Sequence, residues 1–435
     1  MKPGNLGEAC RRVHPLPLLG AILLVLLAWG CASDLESSYT DGAGFEGADD
    51  GDGGGDPASE EGEGNGIEPG TLTAGVWDDN LNFDFYLDYL GGFDSQNTPG
   101  LPEIERADRL MVRVVDASSG YLPGANVTLS QDGAALDTTV TGADGRALFF
   151  PAASGAMEGE LTLIAEIEGA VAETMVEAGS EEEVIVVETD APRRVEGLDL
   201  ALIIDTTGSM GDEMRYLAVE IEAIAREIAE ELPAVDQRYG LVLYRDEGDE
   251  YLTRTFDFEA DLEAFQQNLA AQEAAGGGNY PEALDRGLQD GVELSWREGN
   301  IARVAFLIAD APHHANRKDA VLQAIAGARG KGIRFYPIAA SGADTLAEHT
   351  MRTLAQVTGG RFIFLTDDSG VGNSHLEPTI PCYHVTRLDQ AMTRVIAIEV
   401  SGSHIPVDPD HVIRTGGDPE DGRCSLEGGR EVLVY

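Results

Sequence analysis

The stretch Leu198-Asp199-Leu200-Ala201-Leu202-Ile203-Ile204-Asp205-Thr206-Thr207-Gly208-Ser209-Met210 decides how the chain reads. Residues 198–204 are almost wholly apolar and branched, the composition of a strand buried on both faces of a parallel sheet. Polar side chains that cannot stay in a dry core then break the run at Asp205, Thr207, Gly208 and Ser209. From Met214 the apolar period changes, and Leu217, Ile221, Ile224, Ala225, Ile228 and Leu232 fall on one helical face. Strand, polar turn and helix in succession place the turn at the carboxyl end of a strand, where open α/β sheets bind ligands. One carboxylate and two hydroxyls at alternate positions are hard oxygen donors, suited to Mg²⁺ and too few and too neutral for a soft metal. The rival reading is a helix N-cap, which needs one such residue and not three in register.

Working outward, residues 239–244 read as the next strand and 251–256 as a weaker one. Helices over 261–274 and 282–294 flank Gly276-Gly277-Gly278-Asn279. A buried strand over 304–309 ends on Asp310. A helix over 318–329, a strand over 333–338, a helix to about 357 and a strand over 362–365 follow. This alternation predicts an α/β fold with a doubly wound, mostly parallel sheet. The long loop from Thr366 to Cys382 is expected on the same face as Asp205, followed by a helix over 388–400 and an irregular tail.

The motif Asp205-Thr206-Thr207-Gly208-Ser209 resembles the D-x-[ST]-x-S signature of the von Willebrand factor type A domain, its metal-ion-dependent adhesion site, and the resemblance covers residues 194–370. It implies metal ligation by Asp205, Thr207 and Ser209, with Asp310, in Ala-Phe-Leu-Ile-Ala-Asp-Ala-Pro, as the closing aspartate. The remaining family position is a threonine in one branch and an aspartate after three glycines in another. Gly-Gly-Gly-Asn-Tyr-Pro-Glu-Ala-Leu resembles the second branch with Asn279 in place of the aspartate. An amide oxygen still binds a hard cation, but the charge is lost; a plain turn residue is the alternative. In the family the cation, Mg²⁺ or else Mn²⁺ or Ca²⁺, keeps one coordination position open for an acidic side chain of a protein partner. That makes it an electrostatic clamp whose specificity lies in the surrounding loops.

His313 and His314 follow Asp310 closely, yet no H-E-x-x-H, G-x-S-x-G, Walker or C-x-x-C motif supplies a partner. They read as loop histidines on the rim of the site, no catalytic residue is assigned, and the chain is not expected to be an enzyme. Asp246, Glu247, Asp249 and Glu250 lack the spacing of a calcium loop and read as a solvated face.

The flanks bound where this domain works. Lys2, Arg11 and Arg12 precede an apolar run over 16–27 and then Ala28-Trp29-Gly30-Cys31, which resembles a bacterial lipoprotein signal with Cys31 lipidated after cleavage. The run is too short to span a bilayer, and a plain secretory signal is the alternative. Either way the signal leaves, and the expected location is extracytoplasmic, in the cell envelope, with Cys31 retained as the lipid-bearing first residue that anchors the chain at the outer membrane or surface if the lipoprotein reading holds. Cys10 departs with the signal and Cys31 would carry lipid, so only Cys382 and Cys424 remain to pair as a disulfide. The whole chain of 435 residues carries a net charge of −48. Such a surface repels nucleic acid and anionic lipid and attracts divalent cations.

Residues 32–70, rich in Gly, Asp, Glu and Ser, read as a disordered acidic tether. Residues 71–106 mix aromatic with acidic and amide side chains, either to dock on the body of the protein or as a peptide-like motif for a partner. Residues 107–190 alternate with period two between turns, predicting a small antiparallel β-sandwich. The wording Val-Val-Asp-Ala-Ser-Ser-Gly-Tyr-Leu-Pro-Gly-Ala-Asn-Val-Thr-Leu resembles carboxypeptidase-regulatory-like domains, which carry no catalytic groups. Residues 371–435 form a C-terminal extension. Together these features point to cation-dependent protein binding, in adhesion or surface-complex assembly. Two rivals stay open: an envelope hydrolase with an unrecognised site, and a structural envelope protein whose metal only stabilises the fold.

Overall fold

The computed structural model describes residues 68–435 apart from Ser95, Asp212, Asn279 and Glu377. The proposed signal, Cys31, nearly all of the acidic tether and Asn279 therefore lie outside the described residues.

Strand β1 (Thr73–Trp77) and helix α1 (Phe83–Gly91) come from the aromatic-acidic segment. Seven strands follow: β2 (Leu110–Asp116), β3 (Asn126–Gln131), β4 (Ala134–Val140), β5 (Arg146–Phe149), β6 (Glu160–Ile167), β7 (Ala170–Glu177) and β8 (Glu182–Val187). They make a three-stranded sheet ordered β5-β2-β8 and a four-stranded sheet ordered β4-β3-β6-β7. Val112, Val114, Val127, Leu129, Leu163 and Ile185, drawn from both sheets, share one core, as period-two alternation requires. The expectation of purely antiparallel sheets is corrected at one pair, since β8 runs parallel to β2. The short turn after β7 sets the direction of β8, whichever strand lies beside it.

The α/β part contains β9 (Gly197–Asp205), α2 (Met214–Glu231), β10 (Asp236–Tyr244), β11 (Thr253–Glu259), α3 (Leu262–Ala270), α4 (Leu284–Glu293), β12 (Ile301–Ala309), α5 (Lys318–Gly330), β13 (Arg334–Ala339), α6 (Thr345–Thr358), β14 (Phe362–Leu365), β15 (Tyr383–Arg387), α7 (Leu388–Ser401) and β16 (Arg414–Gly416). Their sheet has the order β11-β10-β9-β12-β13-β14-β1-β15-β16. The run from β10 to β14 is parallel throughout. Strand β9 is buried at every residue. Its Leu198, Leu200, Leu202 and Ile204 pack with Leu217, Ile221 and Ile224 of α2 and with α7. Its Ala201 and Ile203 face the opposite way, toward Leu284 and Leu288 of α4 and toward α5 and α6. Helices thus cover both faces, and the polar residues that end β9 are forced to the sheet's edge.

The boundaries 71–106, 194–370 and 371–435 do not separate structural units. Strand β1 sits inside the large sheet, antiparallel to β14 on one side and to β15 on the other. Gly75 is required there, because a Cβ would collide with the ring of Phe364. Glu220 of α2 accepts the backbone N–H groups of Gly70, Thr71 and Leu72 at 2.7, 2.7 and 3.0 Å, fixing the entry to β1. The β-sandwich is an insertion between α1 and β9. At the other end β15, α7 and β16 complete the same layered body. The tail adds the hairpin β17 (Arg423–Ser425) and β18 (Glu431–Leu433). It is bound back by a Cys382–Cys424 disulfide that links residues 42 apart, the pairing expected from the cysteine count. No helix among the described residues is long and apolar enough to cross a membrane.

Candidate metal centre

Parallel pairing of β9 with β10 and β12 brings the carboxyl ends of these strands to one edge, with Asp205 opposite Tyr244 and Ile204 opposite Ile308. Asp205 is the last residue of β9, and Asp310 follows the last residue of β12. The next turn holds the motif's hydroxyls in place. Asp205 Oδ1 accepts from the Thr207 N–H at 2.8 Å and from its Oγ1 hydroxyl at 2.7 Å. Thr207 Oγ1 in turn lies 3.2 Å from Ser209 Oγ. Asp205 and Thr207 are fully buried and Ser209 is exposed, so the cluster opens to solvent on the serine side. Arg245 Nε donates to the Thr206 carbonyl, pinning the turn from the end of β10.

The glycine loop lies against this turn. Gly208 N–H donates to Gly276 O, and Ala275 N–H to Thr206 O, both at 3.0 Å. Gly276 and Gly277 have φ of +79° and +68°, where glycine is favoured. A Cβ on Gly276 would collide with Asp249, and one on Gly277 would stand 2.9 Å from Glu282 Oε1 and 3.1 Å from Thr207 Cβ. Asp249 Oδ2 accepts from Gly277 N–H at 2.9 Å and Asp246 N–H at 3.0 Å. The reading of this acidic run as a solvated face is therefore corrected in part. Asp246 is 5 % exposed and lies 2.7 Å from His314 Nε2, and Asp249 supports the glycine loop.

His313 is also corrected, from rim to core: it is fully buried, with Nε2 2.8 Å from the Gly100 carbonyl, and burial depresses its basicity. Glu282, which sequence reasoning passed over, is 4 % exposed, and its N–H donates to the Pro312 carbonyl beyond Asp310. Its place directly after the Gly-Gly-Gly-Asn-Tyr-Pro loop was the available signal. Of the five proposed ligands, Asp205, Thr207, Ser209 and Asp310 come to this edge. Asn279 lies outside the described residues.

The electrostatics are those of crowded acids. Burial, then the charge of Asp310, pushes the Asp205 carboxyl up to about 7, against the Thr207 hydrogen bonds and the neighbouring Tyr244 hydroxyl. Burial, then Asp205, Asp246, Asp310 and Asp249, pushes Glu282 up to about 8. Burial and the charges of Asp205, Asp310 and Glu282 hold the Tyr244 hydroxyl protonated far above its usual range. Asp205 Oδ2 and Glu282 Oε2 are buried without a hydrogen-bond partner. Orphaned, mutually repelling carboxylate oxygens beside hydroxyls fit a hard divalent cation, which would neutralise them.

A family model for the von Willebrand factor A domain matches residues 199–367, the span that runs from within β9 to β14 and includes Asp205, Thr207, Ser209, Glu282 and Asp310. This chain carries a von Willebrand factor A domain. The chain is similar to an alpha-protein kinase, vwkA, of Dictyostelium discoideum, 28 % identical over 146 residues, or 33 % of this chain and 23 % of that protein. It is also similar to a putative ariadne-like RING finger protein of Acanthamoeba polyphaga mimivirus, 27 % identical over 124 residues, or 28 % of this chain and 12 % of that protein. The chain thus spans less than a quarter of the length of these curated relatives. Among solved structures, it is similar to the conserved hypothetical protein BatB of Bacteroides thetaiotaomicron (13 % identity, TM-score 0.34, covering 48 % of this chain and 100 % of that one). A von Willebrand factor type A protein of Catenulispora acidiphila is similar at 15 % identity and TM-score 0.30, covering 55 % of this chain and 45 % of that one.

Proposed function

We propose that this chain is a divalent-cation-dependent protein-binding protein of the cell envelope, anchored by lipid on Cys31, and active in adhesion or in assembly of a surface complex. Mg²⁺, or Mn²⁺ or Ca²⁺ in its place, would be held by Asp205, Thr207, Ser209, Asn279 and Asp310. The observation that carries the reading is Asp205 Oδ2, a fully buried carboxylate oxygen without a hydrogen bond, beside two aligned hydroxyls in a von Willebrand factor A domain. A bound cation supplies Lewis acidity toward a partner's carboxylate. The chain's own contribution is to orient Asp205 through Thr207 and to leave Ser209 open to the incoming group. A Cys382–Cys424 bridge accords with an oxidising compartment outside the cytoplasm.

The test is a pull-down from envelope extract with wild-type and Asp205→Ala protein, with and without EDTA, the fold being monitored by circular dichroism. Loss of the same captured protein on metal removal and in Asp205→Ala is expected. Capture that survives both, with the fold intact, would overturn the proposal.

A further inference from the structure

We propose that residues 366–376 form a strap over the start of α2 which a proton on His375 keeps closed, so that it is clasped in mild acid and released as the pH rises. The strap is the first part of the loop between β14 and β15, and the inference does not rest on the metal-binding reading above. Three observations carry it. The His375 ring stands between two carboxylates, with Nε2 2.9 Å from Glu213 Oε1 and Nδ1 2.8 Å from Asp367 Oδ1. The contact is closed to solvent, the side chains of His375 and Glu213 being 3 % and 1 % exposed. The strap is also shaped to it, because Gly372 has φ of +83° and a Cβ there would collide with Glu213.

A neutral imidazole has one N–H and one lone pair, so it donates to one carboxylate and turns its lone pair on the other. Only the imidazolium donates to both, and both bonds are then charge-assisted. Burial by itself depresses the basicity of His375, but the hydrogen bonds and charges of Glu213 and Asp367 outweigh it and raise the ring above its ordinary 6.5. The His375 N–H and ring in turn hold Asp367 below the usual carboxylate range. The other groups on this side are engaged among themselves or with Glu213. Asp368 is bound by Arg414 of β16 at 2.9 Å, beside Tyr383 of β15, and the Ser341 N–H after β13 donates to Glu213 at 3.2 Å. Since the folded value lies above the unfolded one, the clasp is at full strength below about pH 6.5 and is lost as the pH rises through the raised value. Glu213 N–H donates to the Met210 carbonyl and Met210 N–H to the Thr207 carbonyl, both at 3.2 Å. The clasp therefore also steadies the turn that carries Thr207 and Ser209.

The test uses the full mature chain in EDTA, so that its outcome is independent of any metal. Hydrogen exchange of residues 366–376, expressed as protection relative to the unfolded chain, is compared at about pH 6 and about pH 9, and ¹⁵N NMR follows the histidine rings over the same range. Wild-type protection is expected to fall by about 10-fold, the worth of one charge-assisted hydrogen bond, while that of β3 does not change. His375→Gln should give low protection at both pH values. Glu213→Gln should give high protection at both, because its amide donates to the neutral ring while Nδ1–H still serves Asp367. The ring titration is read in the wild type, so a variant that fails to fold leaves the proposal open to refutation. A His375 ring already neutral at about pH 6 overturns it, as does a wild-type fall no larger than that of His375→Gln. A fall that Glu213→Gln removes while the His375 ring titrates at its ordinary value places the proton on Glu213 and overturns it too.

Discussion

Without metal, the buried Asp205 should make this protein less stable as the pH rises, and a divalent cation should remove that dependence. The Asp205 carboxyl stands at about 7 in the fold against an ordinary value of 3.8. Ionising it in the fold therefore costs about 4 kcal/mol more than in the unfolded chain. The sign follows from proton binding. Between these two values the native state holds a proton that the unfolded state has lost, so the contribution to stability is full below about pH 4 and is lost as the pH rises through about 7. About 3 kcal/mol of the loss should fall between pH 5 and pH 8. Urea unfolding followed by tryptophan fluorescence, in EDTA and in Mg²⁺ at both pH values, measures it. Asp205→Asn is the control, because the amide oxygen still accepts from Thr207 and no longer ionises. In EDTA the wild type should lose about 3 kcal/mol more than Asp205→Asn over this range, and saturating Mg²⁺ should abolish the excess. Equal losses in wild type and Asp205→Asn would refute the reasoning.

The other expectations concern charge, cross-linking and anchoring. Asn279→Asp should tighten Mg²⁺ or Mn²⁺ binding and weaken capture of an acidic partner, because a third anionic ligand neutralises the cation further. Calorimetry and a pull-down at saturating metal read the two effects, and no change in either makes Asn279 a turn residue. Arg352, fully buried, bonds Asp79 at 2.6 Å and Glu348 at 3.0 Å, joining α6 to the segment after β1. Arg352→Leu strands two buried carboxylates and should cost about 3–5 kcal/mol in urea unfolding; a loss below about 1 kcal/mol would contradict this account. Opening the Cys382–Cys424 loop, 42 residues in span, by a double Cys→Ser change should cost about 4 kcal/mol or less, and two free thiols by mass spectrometry in envelope-purified protein would rule the bridge out. Cys31→Ser should leave the protein uncleaved or soluble, since a tether alone has no membrane affinity; unchanged detergent partitioning would exclude lipidation.

The sequence by itself carried the parallel core and most of the site. The double-sided burial of β9 is written in residues 198–204, since a strand covered by helices on both faces must be apolar at nearly every position. The turn at Asp205, Thr207 and Ser209 is equally local, because its hydrogen bonds join residues two apart. Asp310 was legible for the same reason, as the first polar residue after a buried strand.

What sequence could not decide depends on contacts between distant residues. Strand β1 is too short and too far from β14 and β15 for any period to assign it to their sheet; only the ladder places Gly75 between Phe364 and Val385. The sandwich therefore looked like a domain in front of the α/β body, whereas the tertiary structure makes it an insertion. His313 and Glu282 were misplaced for a related reason. A histidine three residues past Asp310 reads as a loop residue on the rim, and a glutamate after a proline draws no reading at all. Burial of one against Gly100, and of the other between three loops, is a property of packing and leaves no mark in local composition. Periodicity reports which face of an element is dry, and only the folded chain decides which carboxylates share that dryness.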